Sequence, residues 1–263
     1  MKLVLKIGGV ALENQETLLA CVQAIKSLAE DGHQLVVVHG GGSALTRTLQ
    51  KLGKTSEFVN GLRVTDAETR DVALMVLAGF MNKALVAALT KAGVHAMGLS
   101  GGDGPVFRAR KRNTGPDLGF VGDICSVDTS WLEAIWKAGG VPVVSSIALG
   151  NDGEYYNVNA DQMAAACAVA CHAQTLIFLT EVAGVLDAEG ATIRHLDRKA
   201  IKSLIAESVI KGGMLPKMEA CQSALIGGVG RVRIFPAQHA AELGEFYIKK
   251  IDLGTEVSAA CRT

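Results

Sequence analysis

Three basic side chains stand beside glycines or at the end of an apolar run. Lys6 closes the apolar run Leu3-Val4-Leu5 and opens Lys6-Ile7-Gly8-Gly9. A lysine is almost never left buried without an anionic partner, so this position calls for a carboxylate or a phosphate. Arg63 lies in Asn60-Gly61-Leu62-Arg63-Val64-Thr65, and Lys217 in Gly212-Gly213-Met214-Leu215-Pro216-Lys217. Either alone would be an ordinary solvated charge. With Lys6 they form an inventory for holding anions: ammonium groups as point charges, a guanidinium as a planar fork for a carboxylate. Asn157-Val158-Asn159-Ala160-Asp161-Gln162 adds polar groups just ahead of Met163-Ala164-Ala165-Ala166. Capping a helix there uses one of these side chains, not all of them.

Glycine supplies a second kind of anion holder, the exposed backbone N–H. The chain has 30 glycines and 5 prolines, a bias toward tight turns and close backbone approach. Gly8-Gly9, Gly40-Gly41-Gly42 and Gly101-Gly102 with Gly104 each follow a strand-like segment. Loops at the carboxyl ends of strands line the binding crevice of an open α/β sheet. Gly40-Gly41-Gly42 also leads into a helix, with Ser43 expected at its N-cap, so donors and the positive end of a helix dipole face any anion bound there. The familiar phosphate signatures do not occur. GxxxxGK[ST] is absent, against a P-loop nucleotidase, and the nearest match to GxGxxG ends in Leu45 where glycine should pack helix on strand.

The elements that must position these groups alternate along the chain. Strands are expected over 2–7, 35–38, 96–99, 141–147, 175–180 and 232–235, and helices over 15–30, 43–52, 129–138, 160–170, 199–208 and 214–226. Residues 58–64 read as a hairpin around Asn60-Gly61, 66–90 as helix with a break near Gly79, and 106–112 with 118–126 as an exposed antiparallel ribbon. The run Leu35-Val36-Val37-Val38 suits a strand covered on both faces. This alternation predicts an α/β fold, a three-layer α/β/α sandwich with a mainly parallel central sheet, and a soft boundary near His172 without a linker.

Composition narrows the class of function. The 263 residues carry 26 basic and 26 acidic side chains, so a non-specific nucleic-acid or anionic-membrane partner is disfavoured. Arg108, Arg110, Lys111 and Arg112 form the one dense basic run and read as a solvated ribbon, with no interleaved aromatics. No signal segment and no window near the ~20 apolar residues of a membrane span is expected, which points to a soluble cytoplasmic protein. Cys21, Cys125, Cys167, Cys171, Cys221 and Cys261 lack metal spacing and read as small buried side chains. His33, His172 and His195 read as turn or surface positions.

Five of these segments, Lys6-Ile7-Gly8-Gly9, His39-Gly40-Gly41-Gly42, Asn60 to Thr65, Asn157 to Gln162 and Gly213 to Lys217, occur in one order over nearly the whole chain. They resemble the N-acetylglutamate kinases of the amino acid kinase family. The resemblance implies ATP-dependent phosphorylation of the side-chain carboxylate of N-acetyl-L-glutamate, in arginine biosynthesis, with Mg²⁺ carried on the ATP. It implies a homodimer, an N-lobe over 1–172 for the amino acid and dimerisation, and a C-lobe over 173–263 for ATP. On this likeness Lys6 and Lys217 stabilise the transferring phosphoryl and the leaving ADP, Asp161 holds both ammonium groups, and Gly9 lies at the reacting centre. Gly41, Gly42, Arg63, Asn157 and Asn159 fall to the amino acid. Gly8, Thr180, Glu181, Val182, Gly184, Val185 and Leu186, with Val209, Ile210 and Lys211, fall to ATP. No protein cage for a metal is implied.

The chemistry agrees with what is missing. A carboxylate nucleophile with a pKa of about 4.3 is already ionised at neutral pH, so neither a general base nor a catalytic histidine is needed. Glu181 stands where the family commonly has Asp. Arginine-inhibited hexameric members carry an extra helix before the first strand, and a strand starting at Lys2 makes a dimer without strong arginine feedback the expectation. Two other readings stay open: a kinase of the same fold for an aminoadipate derivative, disfavoured by Asn60 to Thr65 and Asn157 to Asp161, and a non-catalytic ligand-binding regulator, disfavoured by Lys6, Asp161 and Lys217 standing together. A nucleotide-binding oxidoreductase lacks its glycine fingerprint.

Overall fold

The structure, a computed structural model, describes residues 1–244 and 253–259. Eight strands form the central sheet, in the order His195–Leu196, Thr255–Val257, Arg231–Pro236, Thr175–Thr180, Lys2–Ile7, Gln34–His39, Val141–Ser145 and Ala96–Leu99. All neighbours are parallel except Arg231–Pro236 with Thr255–Val257. Helices cover both faces, as the continuous apolar runs require, and the expected α/β/α sandwich with a mainly parallel sheet is what forms.

The period of two along the first strand decides the site. Leu3, Leu5 and Ile7 enter the core under helix Gln15–Glu30, whereas Val4 enters the opposite core, beneath helix Ala160–Ala170. Lys6, two residues after Val4, therefore faces the same side as that helix. Helix Met214–Ile226 packs in turn on Ala160–Ala170. Both helices begin near the carboxyl ends of the strands, so their first turns meet above the end of Lys2–Ile7. That strand pairs with Gln34–His39 on one side and Thr175–Thr180 on the other, which makes its end the point where strand order reverses.

Several elements differ from expectation, each for a local reason. The chain turns directly into a short helix, Gly9–Glu13, after the first strand. Ser43 is not the N-cap of its helix: Gly41 is, the helix runs Gly42–Lys51, and Ser43 Oγ instead donates to Glu13 Oε1 at 2.8 Å. The 58–64 segment is the expected hairpin, Phe58–Val59 with Leu62–Arg63, and Asn60 and Gly61 take φ of 50° and 80°, the left-handed values a two-residue turn needs. No break occurs at Gly79. Helix Ala67–Ala73 passes through a π-helical stretch, Leu74–Met81, into helix Asn82–Lys91. This run, Ala67–Lys91, is long and apolar enough by length and composition to cross a membrane, contrary to expectation. In this fold Val72, Leu77, Met81, Leu85 and Leu89 are buried within the protein.

The expected 141–147 strand divides. Val141–Ser145 stays in the central sheet, and Ile147–Gly150 joins a second, four-stranded sheet with Tyr155–Asn157, Phe107–Lys111 and Gly122–Val127. The 106–126 ribbon is accordingly not exposed on both faces, because Phe107 and Ala109 are buried. In the basic run, Arg112 pairs with Asp123 at 2.7 Å and Lys111 with Asp117 at 3.0 Å. Cys21, Cys167, Cys171 and Cys221 are buried as expected; Cys125 is exposed on the ribbon, and Cys261 lies outside the described residues. His172 takes φ of 52° in the turn between helix Ala160–Ala170 and strand Thr175–Thr180, where the soft boundary was placed.

Gly101 acquires a role from the division of the strand. Its N–H donates to Ile147 O at 2.8 Å, and a Cβ there would lie 2.5 Å from both Ala148 Cα and Leu149 N. Backbone cannot yield as a flexible side chain can. Gly101→Ala is expected to lower stability by about 1–3 kcal/mol, as overpacking does, while Gly79→Ala, with open space around its Cβ, leaves stability unchanged or slightly raised. Urea unfolding of the two variants beside the native protein checks the contrast.

Candidate active site

At the end of the first strand a single carboxylate holds two ammonium groups. Asp161 Oδ1 lies 2.8 Å from Lys6 Nζ and Oδ2 lies 2.9 Å from Lys217 Nζ. The three side chains come from three elements, strand Lys2–Ile7 and the first turns of helices Ala160–Ala170 and Met214–Ile226. Phe178, whose position in the next strand is level with Lys6, places its ring 4.9 Å beneath Lys217 Nζ. Burial would raise the Asp161 pKa, but the charges of Lys6 and Lys217 outweigh it and bring the group down to about 2. Burial lowers the Lys6 pKa, with the Asp161 charge opposing. Two positive charges on one negative leave the cluster with an excess of +1. An arriving anion completes it.

The polar run before helix Ala160–Ala170 divides its work. Asn159 is the cap, its Oδ1 accepting from the N–H groups of Asp161 and Gln162 at 2.9 and 3.3 Å. That leaves Asp161 free for the two lysines. Asn157 Nδ2 donates to Thr65 Oγ1 at 3.2 Å, and the Thr65 hydroxyl donates to Arg63 O at 2.9 Å.

Arg63 hangs from the hairpin and is 6% exposed. Its Nη2 donates to Gly42 O at 2.9 Å and Thr46 Oγ1 at 2.7 Å, its Nη1 to Ser56 Oγ, and its Cζ stands 4.6 Å over the Phe58 ring. Burial lowers its pKa from an ordinary value so high that the charge persists. Gly9 and Gly41 abut: a Cβ on Gly9 would be 3.0 Å from Gly41 Cα, and one on Gly41 would be 2.7 Å from Leu77 Cδ2. A side chain at Gly9 would crowd backbone, and one at Gly41 would displace Leu77.

These groups surround one cavity of about 220 Å³. Lys6, Gly9, Gly41, Gly42, Arg63, Asn157, Asn159 and Asp161 all line it. The volume is below the ~300–1,000 Å³ of drug-sized pockets, so it suits a small acid rather than a whole nucleotide. Lys217 sits behind Asp161.

The residues expected to meet ATP do not line this cavity. Thr180 ends the strand beside Lys2–Ile7, and Glu181 follows it closely enough for its charge to act on Lys6. The Gly8 N–H donates to Leu179 O at 3.2 Å, so Gly8 offers close approach but no free donor. Val182, Leu186 and Lys211 are exposed and Val209 is half-buried. Val185 and Ile210, however, are core residues, and the Val185 N–H donates to Thr255 Oγ1 at 2.8 Å. Their side chains are thus committed to packing. Gly184 takes φ of 154°, and a Cβ there would strike Thr192 and Thr255.

Sequence reasoning missed Thr46, Ser56, Phe58 and Phe178, which hold the cations in place, and Ser146, which lines the cavity. Only Phe178 carried a signal, its level position beside Lys6 in a neighbouring strand.

The sequence signature of the amino acid kinase family matches residues 1–236. An acetylglutamate kinase of Acidobacterium capsulatum is 61% identical over 99% of this chain and 100% of its own length. One of Koribacter versatilis is 54% identical over 98% and 99%. Among solved structures, a Streptococcus mutans protein superposes with a TM-score of 0.86 at 30% identity, covering 98% of this chain and 99% of that one.

Because the folded pKa of Asp161, about 2, lies below the ordinary 3.8, its contribution to stability is complete above 3.8 and is lost as pH falls toward 2. Asp161→Asn is expected to cost about 3–5 kcal/mol at neutral pH, since it leaves two buried cations facing each other. The gap to the native protein should narrow by about 2 kcal/mol across that acid window. Denaturant unfolding at neutral and acid pH measures it; a gap that stays constant with pH contradicts the ion-pair account.

Proposed function

The chain belongs to the amino acid kinase family, and from that premise we propose that its cleft transfers the γ-phosphoryl group of ATP to the side-chain carboxylate of N-acetyl-L-glutamate. The product is N-acetyl-L-glutamyl 5-phosphate, an intermediate of arginine biosynthesis. Full-length likeness to acetylglutamate kinases supports the substrate, and the observation that carries the chemistry is the Lys6–Asp161–Lys217 cluster.

In the reaction a carboxylate oxygen attacks the γ-phosphorus, the bond to the ADP bridging oxygen breaks, and its electron pair leaves with ADP. No proton need move, so fixed positive charge and N–H donors do the work that a base does elsewhere. Lys6 faces the cavity from the strand end and meets the transferring phosphoryl. Lys217 meets the side on which charge develops on ADP. Asp161 holds both at hydrogen-bond distance and keeps them from repelling each other apart. Gly9, Gly41 and Gly42 bring backbone to the reacting oxygens with no side chain between.

Arg63 takes the α-carboxylate of the amino acid. Its bonds to Ser56, Thr46 and Gly42 use three of five donors and leave two for the ligand. Asn157, steadied by Thr65, and Asn159 line the same cavity and meet the amino acid there. ATP lies over Thr180 to Leu186 and Val209 to Lys211, with contacts from the backbone at Val185 and Ile210, whose side chains are buried. Among the described residues no cluster of three or more His, Cys, Asp or Glu side chains is placed to hold a metal. Mg²⁺ on this reading enters as part of the MgATP substrate, on its phosphates and waters. On this reading residues 1–172 bind the amino acid and form a homodimer, residues 173–263 bind ATP, and the enzyme works in the cytoplasm.

Incubation with MgATP and N-acetyl-L-glutamate in the presence of hydroxylamine is expected to yield an acylhydroxamate, with N-acetylaminoadipate and free glutamate as comparison substrates. No hydroxamate from N-acetylglutamate would overturn the assignment. Lys217→Ala is expected to lower kcat by ~10²–10³, the usual loss when one preorganised charge is removed from the transition state. Near-native turnover would take Lys217 out of the mechanism.

A further inference from the structure

A buried chain of polar groups runs from the core of the fold to the glycine turn at the cleft. His39 ends strand Gln34–His39, is fully buried, and stands directly before Gly40-Gly41-Gly42. Its Nδ1 lies 2.9 Å from Gly40 O, and its Nε2 lies 3.0 Å from Asn82 Nδ2. Asn82, also fully buried, donates through the same amide nitrogen to Val143 O at 2.9 Å and accepts from Lys83 Nζ at 3.1 Å. The π-helical stretch Leu74–Met81 ends at Asn82, and Gly98 leaves room for the amide, because a Cβ there would overlap Asn82 Oδ1.

The ends of this chain fix its polarity. Gly40 O and Val143 O only accept. Val143 O therefore turns the NH₂ of Asn82 toward the ring, Nε2 must accept, and Nδ1 must carry the proton. Burial, with the charge of Lys83 adding to it, lowers the His39 pKa to about 4, so the ring is neutral at working pH. No other charged group is among the influences on this ring.

We propose that His39, with its tautomer set by Asn82, is a positioning residue for phosphoryl transfer: it holds the Gly40–Gly41 peptide so that the Gly41 N–H faces the reacting anion. The inference rests on the kinase reading of the cleft. The C=O and N–H of one peptide plane point in opposite directions, so the bond that turns Gly40 O back to the imidazole turns the Gly41 N–H the other way. Gly41 lines the cavity and is the N-cap of helix Gly42–Lys51, so its N–H has no partner inside that helix. Without a donor at Nδ1 the half-buried Gly40 carbonyl loses this partner and the peptide is free to rotate.

Three variants test this by steady-state kinetics with MgATP and N-acetyl-L-glutamate. His39→Leu is expected to lower kcat by ~10²-fold, the scale of a small misplacement of a catalytic group, with KM for both substrates moving far less. His39→Asn, whose amide nitrogen can replace the Nδ1 donor, is expected to recover most of that loss. Asn82→Asp puts an acceptor against Nε2. The neutral ring then carries its proton on Nε2 and turns a lone pair to Gly40 O, whereas the imidazolium keeps both bonds. Its kcat is therefore expected to fall as pH rises through an ionisation absent from the native profile. A merely structural role would produce no such profile. Native kcat in His39→Leu, or a native pH profile in Asn82→Asp, overturns the proposal, and the Asn82→Asp profile decides alone if His39→Leu does not fold. Either result with an active native enzyme leaves the kinase reading standing; an inactive native enzyme removes that reading itself.

Discussion

A carboxylate shut away from water stays ionised only if positive charge comes with it, and the architecture of the cleft follows from meeting that condition at Asp161. One lysine would neutralise it. Two leave the cluster positive, and that excess makes the site attractive to an anion while Asp161 prevents the ammonium groups from separating. The cost of burial is high for each of the three charges, so they must be delivered to within hydrogen-bond distance by elements that do not move. A central strand and the first turns of two helices packed on each other provide that rigidity.

The sheet supplies the direction. Residues alternate between two cores along Lys2–Ile7, and a one-residue shift would send Lys6 into the apolar core of Leu3, Leu5 and Ile7. The parallel register sets Phe178 level with Lys6 on one side and Val38 on the other, with His39 one residue further on beside Ile7. Lys6, its aromatic neighbour and the start of the glycine turn are thus placed by one hydrogen-bonded ladder. Glycine then removes the remaining obstacle, since a Cβ at Gly9 would crowd the Gly41–Gly42 backbone where the two turns meet.

Much of this was legible in the sequence because it follows local rules. A lysine at the end of an apolar strand, three polar groups before a helix that needs one cap, and Asn-Gly between short extended segments each carry their own physical reason. What escaped follows no local rule. Ser56 and Thr46 hold Arg63 across the fold, and neither sits at a position that periodicity could single out. The π-helical winding of Leu74–Met81 shifts Asn82 into the core without any compositional mark, and only the closed network with His39 shows why it is there. The bend at Ser146 divides an apolar run that looks like one strand, and Gly101 is explained only when the second half, Ile147–Gly150, is seen against its backbone. Val185 and Ile210 belong to the expected nucleotide segments yet are buried, because those segments must anchor themselves to the core while presenting neighbours outward.

The two halves of the cleft touch at one further place, which bears on how binding and chemistry are joined. Gly61, at the tip of the hairpin that carries Arg63, has its Cβ direction 3.6 Å from Pro216 Cγ, next to Lys217. Its left-handed backbone, φ 80°, suits glycine and keeps the tip narrow enough to reach the start of helix Met214–Ile226. The hairpin that carries Arg63 thus touches the turn that positions Lys217. The chain as a whole is neutral, so attraction of two anionic substrates cannot come from net charge. Lys6, Arg63 and Lys217 concentrate positive charge at the cleft, where each charge acts more strongly than it would in water.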